Sequence, residues 1–337
     1  MKTLLYIGNK LSKHGSTPTT IETLGALFET EGYRLLYASD KHNQLLRFLD
    51  MGWAVLKNAS KIDCVIIDTY STSSFWYAFM VSQLCRMLGV KYIPILHGGN
   101  LPHRLDQSPV LSKMIFTHAY KNVAPSGYLM HAFEQHKYPN LVYIPNTIEL
   151  ANYPFLPTRE LTPPKLLWVR SFASLYNPKM AVDVLKELQK TYPEAELCMV
   201  GPDKDGSLEE TRIYAQQQQV SVTFTGRLSK EEWIALSKDY NIFINTTSFD
   251  NTPVSVIEAI CLGLPVVTTN VGGIPFLLED RKTALLVDDN ATQQMTQAIT
   301  ELTENPDFRS QIVSNGRTYV EGFDWEVVKG IWGEVLV

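Results

Sequence analysis

Two carboxylates and a proline-led helix lie close together in the segment FDNTPVSVIEAICLGLPVVTTNVGGIP, residues 249–275. Asp250 and Glu258 flank a Thr-Pro pair, which predicts a helix from Pro253 to about Leu262 with Thr252 as its N-cap. Because the strand-like run IFINTT precedes it, the helix should begin at the carboxyl edge of a parallel sheet, where open α/β folds bind ligands. The helix N-terminus favours a phosphate, and the carboxylates could receive hydroxyl groups beside it.

Local spacing leaves a second interpretation open for each of these residues. Asp250 could be a turn residue and Glu258 a solvated helix residue, and spacing alone favours neither interpretation. Arg170 directly follows the strand-like run KLLWV, although arginines are more often solvated or structural. His97 follows KYIPIL and precedes two glycines, which indicates a close approach of the backbone and favours a functional role.

The elements that must position these residues alternate along the chain. Strand-like runs such as TLLYIG, DCVIID and ELCMVG are separated by helical patterns, and this spacing predicts an α/β fold with parallel strands and crossover helices. A loop with four prolines, residues 153–165, divides two such series. We therefore predict a first domain over 1–155 and a second over 156–320. The closing helix, 321–337, should pack back toward the first domain.

Composition excludes several classes of protein. A net charge of −5 over 337 residues argues against a nucleic-acid partner, because phosphate contacts need a basic surface. No apolar run reaches the roughly 20 residues of a membrane span. The four cysteines stand far apart in apolar segments, which is typical of reduced residues in a cytoplasmic protein, and we expect no metal site: Cys64, Cys85, Cys198 and Cys261.

The segment that begins at Asp250 resembles the retaining glycosyltransferases of family 4. Their pattern is an acidic residue, seven residues, Glu-Ala, a small-residue turn, Pro-Val-Val and a Gly-Gly-Ile/Leu-Pro loop. The chain matches it at Asp250, Glu258, Ala259, Gly263, Pro265, Val266, Val267, Gly272, Gly273, Ile274 and Pro275. Further parts of the family pattern are matched by the segments IPNTIEL, LLWVRSF, MVGPD, FTGRLSKEE and PILHGGN. The resemblance implies a GT-B fold, with two Rossmann-like, doubly wound parallel-sheet domains facing a central cleft.

The same resemblance implies roles for individual residues. Arg170 and Lys179 would neutralise the donor diphosphate, Glu258 would bind the ribose, and His97 would lie near the anomeric centre. Asp250 and the backbone of Pro253 to Ser255 would bind the donor sugar. The implied catalytic residues are His97, Arg170, Lys179 and Asp250, and the implied donor-binding residues are Gly15, Arg170, Lys179, Asp250, Asn251, Thr252, Pro253, Val254, Ser255 and Glu258. No metal or other cofactor is required.

The chain also departs from the family pattern in three places. Asp250 stands where the family more often has Glu, which shortens the reach toward a donor sugar by one methylene. Arg170 and Lys179 are nine positions apart, a wider spacing than in many members. The first loop, KHGSTPTT, has only one glycine, Gly15. The wider spacing concerns the contacts implied for Lys179, and the single glycine concerns those implied for Gly15.

The function that the resemblance implies is transfer of a hexose-type sugar, with retention, from a nucleotide diphosphate donor to a hydroxyl of a glycan or lipid-linked acceptor. Cell-surface polysaccharide synthesis is the implied setting. Two alternatives stay open: an isomerase on the same fold, such as a nucleotide-sugar 2-epimerase, and a non-catalytic sugar-nucleotide binding protein. No G-x-G-x-x-G follows the first strand, which argues against a nicotinamide dehydrogenase.

The helix predicted over 43–57 has two interpretations. It carries Arg47, Lys57 and several large apolar residues, and Lys61 follows it. An amphipathic helix packed on the sheet is the commoner explanation of this pattern. Related enzymes that work on lipid-linked acceptors touch the membrane with a basic first domain, which implies a peripheral contact at the inner face of the membrane.

Overall fold

The computed structural model describes residues 1–14 and 19–336, and the chain divides into two compact units. The first unit is Met1–Thr147 with Val328–Val337, and the second is Ile148–Val327. The division therefore falls after Thr147 rather than after residue 155. Near the chain end it falls inside a helix, before Val328.

The first unit contains a six-stranded sheet whose neighbouring strands all pair in parallel, in the order β2-β1-β3-β4-β5-β6. Its strands are β1 (Thr3–Ile7), β2 (Arg34–Ala38), β3 (Cys64–Thr69), β4 (Tyr92–Leu96), β5 (Asn122–Ala124) and β6 (Leu141–Tyr143). Its helices are α1 (Thr20–Thr30), α2 (Gln44–Asn58), α3 (Ser74–Leu88), α4 (Leu101–Gln107), α5 (Pro109–Phe116) and α6 (Gly127–Gln135).

The central strands of this sheet are buried along their whole length, as their apolar sequences predict. Every residue of β3 is buried, including Asp68 near its carboxyl end. Helices α2 and α3 cover one face through Met51, Val55, Ala78 and Val81. An acidic side chain in such a strand needs partners, because a buried charge is costly without them.

The last residues of the chain pack within the first unit. Helix α14 (Trp325–Val335) crosses the division, and its later turns meet α1. The rings of Trp332 and Phe28 lie edge to face with centroids 5.2 Å apart, and Lys329 pairs with Glu31 at 3.4 Å. Lys2 Nζ also donates to the carbonyl oxygen of Leu336 at 2.5 Å.

The second unit contains its own six-stranded parallel sheet, in the order β12-β11-β10-β7-β8-β9. Its strands are β7 (Lys165–Val169), β8 (Glu196–Val200), β9 (Thr223–Gly226), β10 (Ile242–Asn245), β11 (Val266–Thr269) and β12 (Leu285–Val287). Its helices are α7 (Pro178–Leu188), α8 (Ser207–Gln218), α9 (Lys230–Leu236), α10 (Val254–Cys261), α11 (Ile274–Leu277), α12 (Thr292–Glu304) and α13 (Pro306–Glu321).

Successive residues of β7 enter two separate cores, because side chains alternate across a strand. Leu166 and Trp168 pack with residues of α7 and α12, whereas Leu167 packs with residues of α10. Helices therefore cover both faces of the second sheet. The predicted α/β class with parallel sheets is confirmed.

Two further expectations concern burial and membrane spans. All four cysteines are buried and none forms a disulfide. Burial raises the pKa of the thiols of Cys64 and Cys261 to about 12, so both are thiols at neutral pH. Within the described ranges, no helix has both the length and the apolar character needed to cross a bilayer.

Candidate functional site

Arg170 and Asp250 form an ion pair at the carboxyl edge of the second sheet. Arg170 directly follows β7, and its guanidinium donates to Oδ2 of Asp250. Both side chains are largely buried, at 14% and 13% exposed, and the guanidinium also stacks on the ring of Tyr176 at 4.1 Å from its centroid. A cation is therefore held in a fixed position at the sheet edge where α/β folds bind ligands.

The loop that carries Asp250 is packed against the glycine pair that follows β11. The carbonyl oxygen of Asp250 accepts from Gly273 N at 2.7 Å. A Cβ atom at position 273 would lie 1.9 Å from the carbonyl oxygen of Asn251, so no side chain fits there. In the sequence, these glycines stand out only through the family pattern. Their physical role is to let two backbone segments touch beside the carboxylate.

Helix α10 begins one residue later than predicted, and Thr252 is not its N-cap. Pro253 is extended, with ψ 106°, and no side chain caps the helix. The N–H of Thr252 instead donates to Oδ1 of Asp250 at 3.1 Å, which turns the chain before the helix starts. The prediction of Thr252 as N-cap was wrong: Asp250 holds Thr252 in an Asx turn before the helix, and the hydroxyl of Thr252 has no partner.

This helix start contains several unpartnered polar groups. Among the described residues, no group accepts from the N–H of Val254 or Ser255. The buried hydroxyl oxygens of Thr252 and Ser255 and the buried Nε of Arg170 also have no hydrogen-bond partner. Buried polar groups without partners are uncommon, and a bound ligand is one way to satisfy them.

Glu258 is buried, so the interpretation of it as a solvated helix residue was wrong. Oε1 of Glu258 accepts from the phenol of Tyr153 at 2.7 Å and pairs with Nζ of Lys230 at 2.9 Å. Burial, and then the charge of Glu258, raise the pKa of Tyr153 well above its usual value. Tyr153 is therefore a hydrogen-bond donor at all ordinary pH values. Both contacts are made to Oε1, so neither of them occupies Oε2.

The structure does not bring Lys179 to the Arg170 pair. Lys179 lies in the first turn of α7, where its Nζ pairs with Oε2 of Glu210 at 2.8 Å. Both side chains are about half exposed, at 46% and 63%. The assignment of Lys179 to a donor diphosphate therefore stays a prediction.

In the first unit, His97 lies at the end of β4 and bonds to Asp68 at the end of β3. Nε2 of His97 and Oδ1 of Asp68 are 2.9 Å apart, and the side chains are 9% and 0% exposed. The phenol of Tyr6, in β1, donates to the same Oδ1 at 3.1 Å. The imidazole stacks on Tyr70 with centroids 4.7 Å apart. Three adjacent strands thus place one buried network at the carboxyl edge of the first sheet.

Sequence reasoning missed four of these residues. Asp68 had a visible signal, because it is the acidic residue that ends the apolar run DCVIID. The other three residues had no such signal, because no local pattern reveals a partner that is distant in the chain. The separations from the partner are 62 residues for Tyr6, 105 for Tyr153 and 28 for Lys230. Gly15, which was assigned to donor binding, lies outside the described residues. In residues 1–14 and 19–336, no three metal-binding side chains come together.

Comparison with known proteins finds a family whose sequence profile matches about half of this chain. Residues 154–319 match the sequence profile of the family described as Glycosyl transferases group 1. An uncharacterized glycosyltransferase of Haemophilus influenzae is 25% identical over 209 residues, which cover 60% of this chain and 57% of that protein. The matched region thus spans little more than half of that relative.

Two solved structures share the fold over nearly the whole chain. Sucrose-phosphate synthase from Thermosynechococcus elongatus has a TM-score of 0.78 and 17% identity, covering 99% of this chain and 98% of that one. Anabaena HepE in complex with UDP-glucose has a TM-score of 0.77 and 15% identity, covering 100% and 99%. The predicted GT-B fold is confirmed, and residues 154–319, about half of the chain, match the family described as Glycosyl transferases group 1.

Proposed function

We propose that this protein is a retaining glycosyltransferase that moves a hexose-type sugar from a nucleoside diphosphate donor to a hydroxyl of a glycan or lipid-linked acceptor. The observation that carries the proposal is the combination of Arg170 with the open N-terminus of α10. A buried cation and two unpaired backbone N–H groups form one anion-binding surface, joined through Asp250. Stabilising the charge of a leaving diphosphate is the largest expected contribution to such a transfer.

The remaining groups are assigned to the rest of the donor. Glu258 keeps Oε2 available for a ribose hydroxyl, while Tyr153 and Lys230 hold Oε1. Asp250, with the backbone of residues 253–255, would contact the donor sugar. Lys179 would join the diphosphate after leaving Glu210. UDP-glucose is the first donor to test, because HepE binds UDP-glucose on the same fold.

The first unit would supply the acceptor side. His97 is held at the carboxyl edge of the first sheet, and we assign it to the reacting region. Retention of configuration and a role in cell-surface polysaccharide synthesis are parts of the proposal that rest on the family resemblance. No metal is assigned to the site.

Helix α2 is the basis for proposing a peripheral contact with the inner face of the membrane. Five of its large apolar side chains are 50–67% exposed, and they are Leu45, Leu46, Leu49, Trp53 and Leu56. Exposed apolar patches on a folded protein mark interaction sites. Arg47, Lys57 and Lys61 lie on or next to this helix, so the surface combines apolar and basic groups, as a membrane with anionic lipids requires. A lipid-linked acceptor would be reached there.

The test is to incubate the protein with UDP-, GDP-, ADP- and dTDP-sugars, with and without a panel of hydroxyl acceptors, and to follow the anomeric protons by NMR. Transfer that gives a product with the donor's anomeric configuration is the expected result. Epimerised donor without acceptor would establish an isomerase instead. If the donor binds saturably but is not turned over with any acceptor, the protein is a non-catalytic sugar-nucleotide binding protein.

A further inference from the structure

The imidazole of His97 is fixed at one of its two nitrogens. Nε2 contacts Oδ1 of Asp68 at 2.9 Å, whereas no group in the described part of the chain bonds to Nδ1. The His97 side chain keeps 9% of its surface exposed, although its partner Asp68 is fully buried. The ring therefore has one nitrogen bound to a buried carboxylate and, within the described residues, one nitrogen without a protein partner.

Asp68 is placed to decide which nitrogen carries the proton. Its side chain is completely buried, and Oδ1 takes contacts from both His97 Nε2 and the Tyr6 phenol. The pKa of Tyr6 is raised well above its usual value by burial and by the charge of Asp68, so Tyr6 donates to the carboxylate. A carboxylate only accepts hydrogen bonds, so Nε2 must be the protonated nitrogen.

Neighbouring contacts hold the plane of the imidazole and the backbone on both sides of its contact with Asp68. Tyr70 stacks on one face of the ring at 4.7 Å, and the N–H of His97 donates to the carbonyl oxygen of Thr69 at 2.8 Å. Tyr77 donates to the carbonyl oxygen of Asp68 at 2.7 Å, which fixes the end of β3. The backbone at both ends of the His97–Asp68 contact is thus held independently of the contact itself.

We propose that Asp68 is a positioning residue that holds His97 in the Nε2-protonated tautomer, so that Nδ1 is left as a hydrogen-bond acceptor for a substrate hydroxyl. The inference deepens the proposed function and rests on it for the identity of the hydroxyl. The tautomer itself does not depend on any activity. A buried carboxylate that orients a histidine through one nitrogen leaves the other nitrogen ready to accept.

The experiment measures the tautomer directly, by long-range ¹H–¹⁵N correlation spectra of protein labelled with ¹⁵N-histidine. His97→Gln identifies the His97 signals. The neutral ring in the wild type should show Nε2–H and an unprotonated Nδ1. Asp68→Asn should populate the Nδ1–H tautomer as well, while Tyr92→Phe, which removes another buried phenol hydrogen bond of the first unit, should not change the spectrum.

Kinetics provides the second measurement once a donor and an acceptor are known. Asp68→Asn should lower kcat by at least about tenfold, because the wrong tautomer cannot accept the hydroxyl, and KM for the donor should stay within about twofold. A wild-type spectrum with Nδ1–H would overturn the proposal without any variant. So would an Asp68→Asn protein that keeps both the tautomer and kcat. If no donor is turned over, the proposed function fails while the spectrum still decides the role of Asp68.

Discussion

Arg170 and Asp250 are 80 positions apart in the chain, yet their side chains neutralise one another at the edge of the second sheet. Both belong to the proposed donor site, so the cation assigned to the diphosphate is paired with a carboxylate of the same site. The guanidinium is held between this carboxylate and the ring of Tyr176. Preorganised charge of this kind is more effective than charge that must be reoriented on binding.

This pairing predicts different effects for its two members. Arg170→Ala should weaken both UDP and UDP-sugar binding by about 10- to 100-fold, because a hydrogen bond to a charged group contributes about 1.5–3 kcal/mol. Asp250→Asn should weaken binding of the sugar nucleotide, whereas UDP should bind at least as tightly as it binds to the wild type. Calorimetric titration with UDP and with UDP-glucose measures both. Arg212→Ala, which removes an exposed guanidinium stacked on Phe224, is the matched control. Equal losses for Asp250→Asn with both ligands would argue against its assignment to the sugar.

Lys179 offers a separate test of the diphosphate assignment. Its exposed pair with Glu210 should contribute at most about 1 kcal/mol to stability, so Lys179→Ala should fold normally. If Lys179 moves to the donor, Lys179→Ala weakens UDP binding, and Glu210→Ala, which releases the amine, strengthens it. If both variants bind UDP with unchanged affinity, Lys179 stays on the surface of α7 and does not contact the donor.

The contacts of Glu258 predict a test with a modified nucleotide. Glu258→Gln and Tyr153→Phe should each weaken binding of UDP by about tenfold, because each disturbs a charge-assisted hydrogen bond near the ribose. Neither should weaken binding of a deoxyribose nucleotide that lacks the contacted hydroxyl. Tyr192→Phe, which removes the exposed Tyr192–Glu304 hydrogen bond of the same unit, is the control. An equal loss for the ribose and deoxyribose nucleotides would mean that Glu258 only supports the fold.

Gly273 has no room for a side chain, and the clash predicts a local effect. Gly273→Ala would push its Cβ against the carbonyl oxygen of Asn251, which should cost about 1–3 kcal/mol of stability and displace the Asp250 loop. The expected result is a lower thermal midpoint together with weaker donor binding. Gly330→Ala is the control, because no atom lies within 4 Å of its Cβ, and its stability should be unchanged or higher.

The exposed face of α2 predicts binding to vesicles. The protein should co-sediment with vesicles that contain phosphatidylglycerol, less so at high salt, and the double variant Leu49→Ser/Trp53→Ser should lose most of this binding. Ile213→Ser removes an exposed apolar residue of the second unit and should bind as the wild type does. Wild-type protein that stays in solution with anionic vesicles would remove the membrane from the proposal and point to a protein partner for α2.

Several features could be predicted because they depend on residues that are close together in the chain. Alternating apolar runs determine a parallel α/β sheet, since each buried strand must be followed by a covering helix before the next strand. The predicted fold class is confirmed, Arg170 and His97 directly follow strands, and Asp250 lies in the loop between β10 and α10, as the sequence predicts. The error at Thr252 was local: the side chain of Asp250 turns the chain by accepting from the N–H of Thr252, and the hydroxyl of Thr252 does not cap the helix.

The tertiary structure alone decided which side chains become partners. Nothing in the sequence pairs Arg170 with Asp250, joins Tyr153 and Lys230 on one oxygen of Glu258, or places Tyr6 and His97 on Asp68. The Arg170–Asp250 and Tyr6–Asp68 contacts arise because the sheet order brings together strands that are not consecutive, β7 beside β10 and β1 beside β3. A local pattern specifies the end of one strand. The neighbouring strand end, and with it the chemistry at the sheet edge, is specified only when the whole sheet assembles.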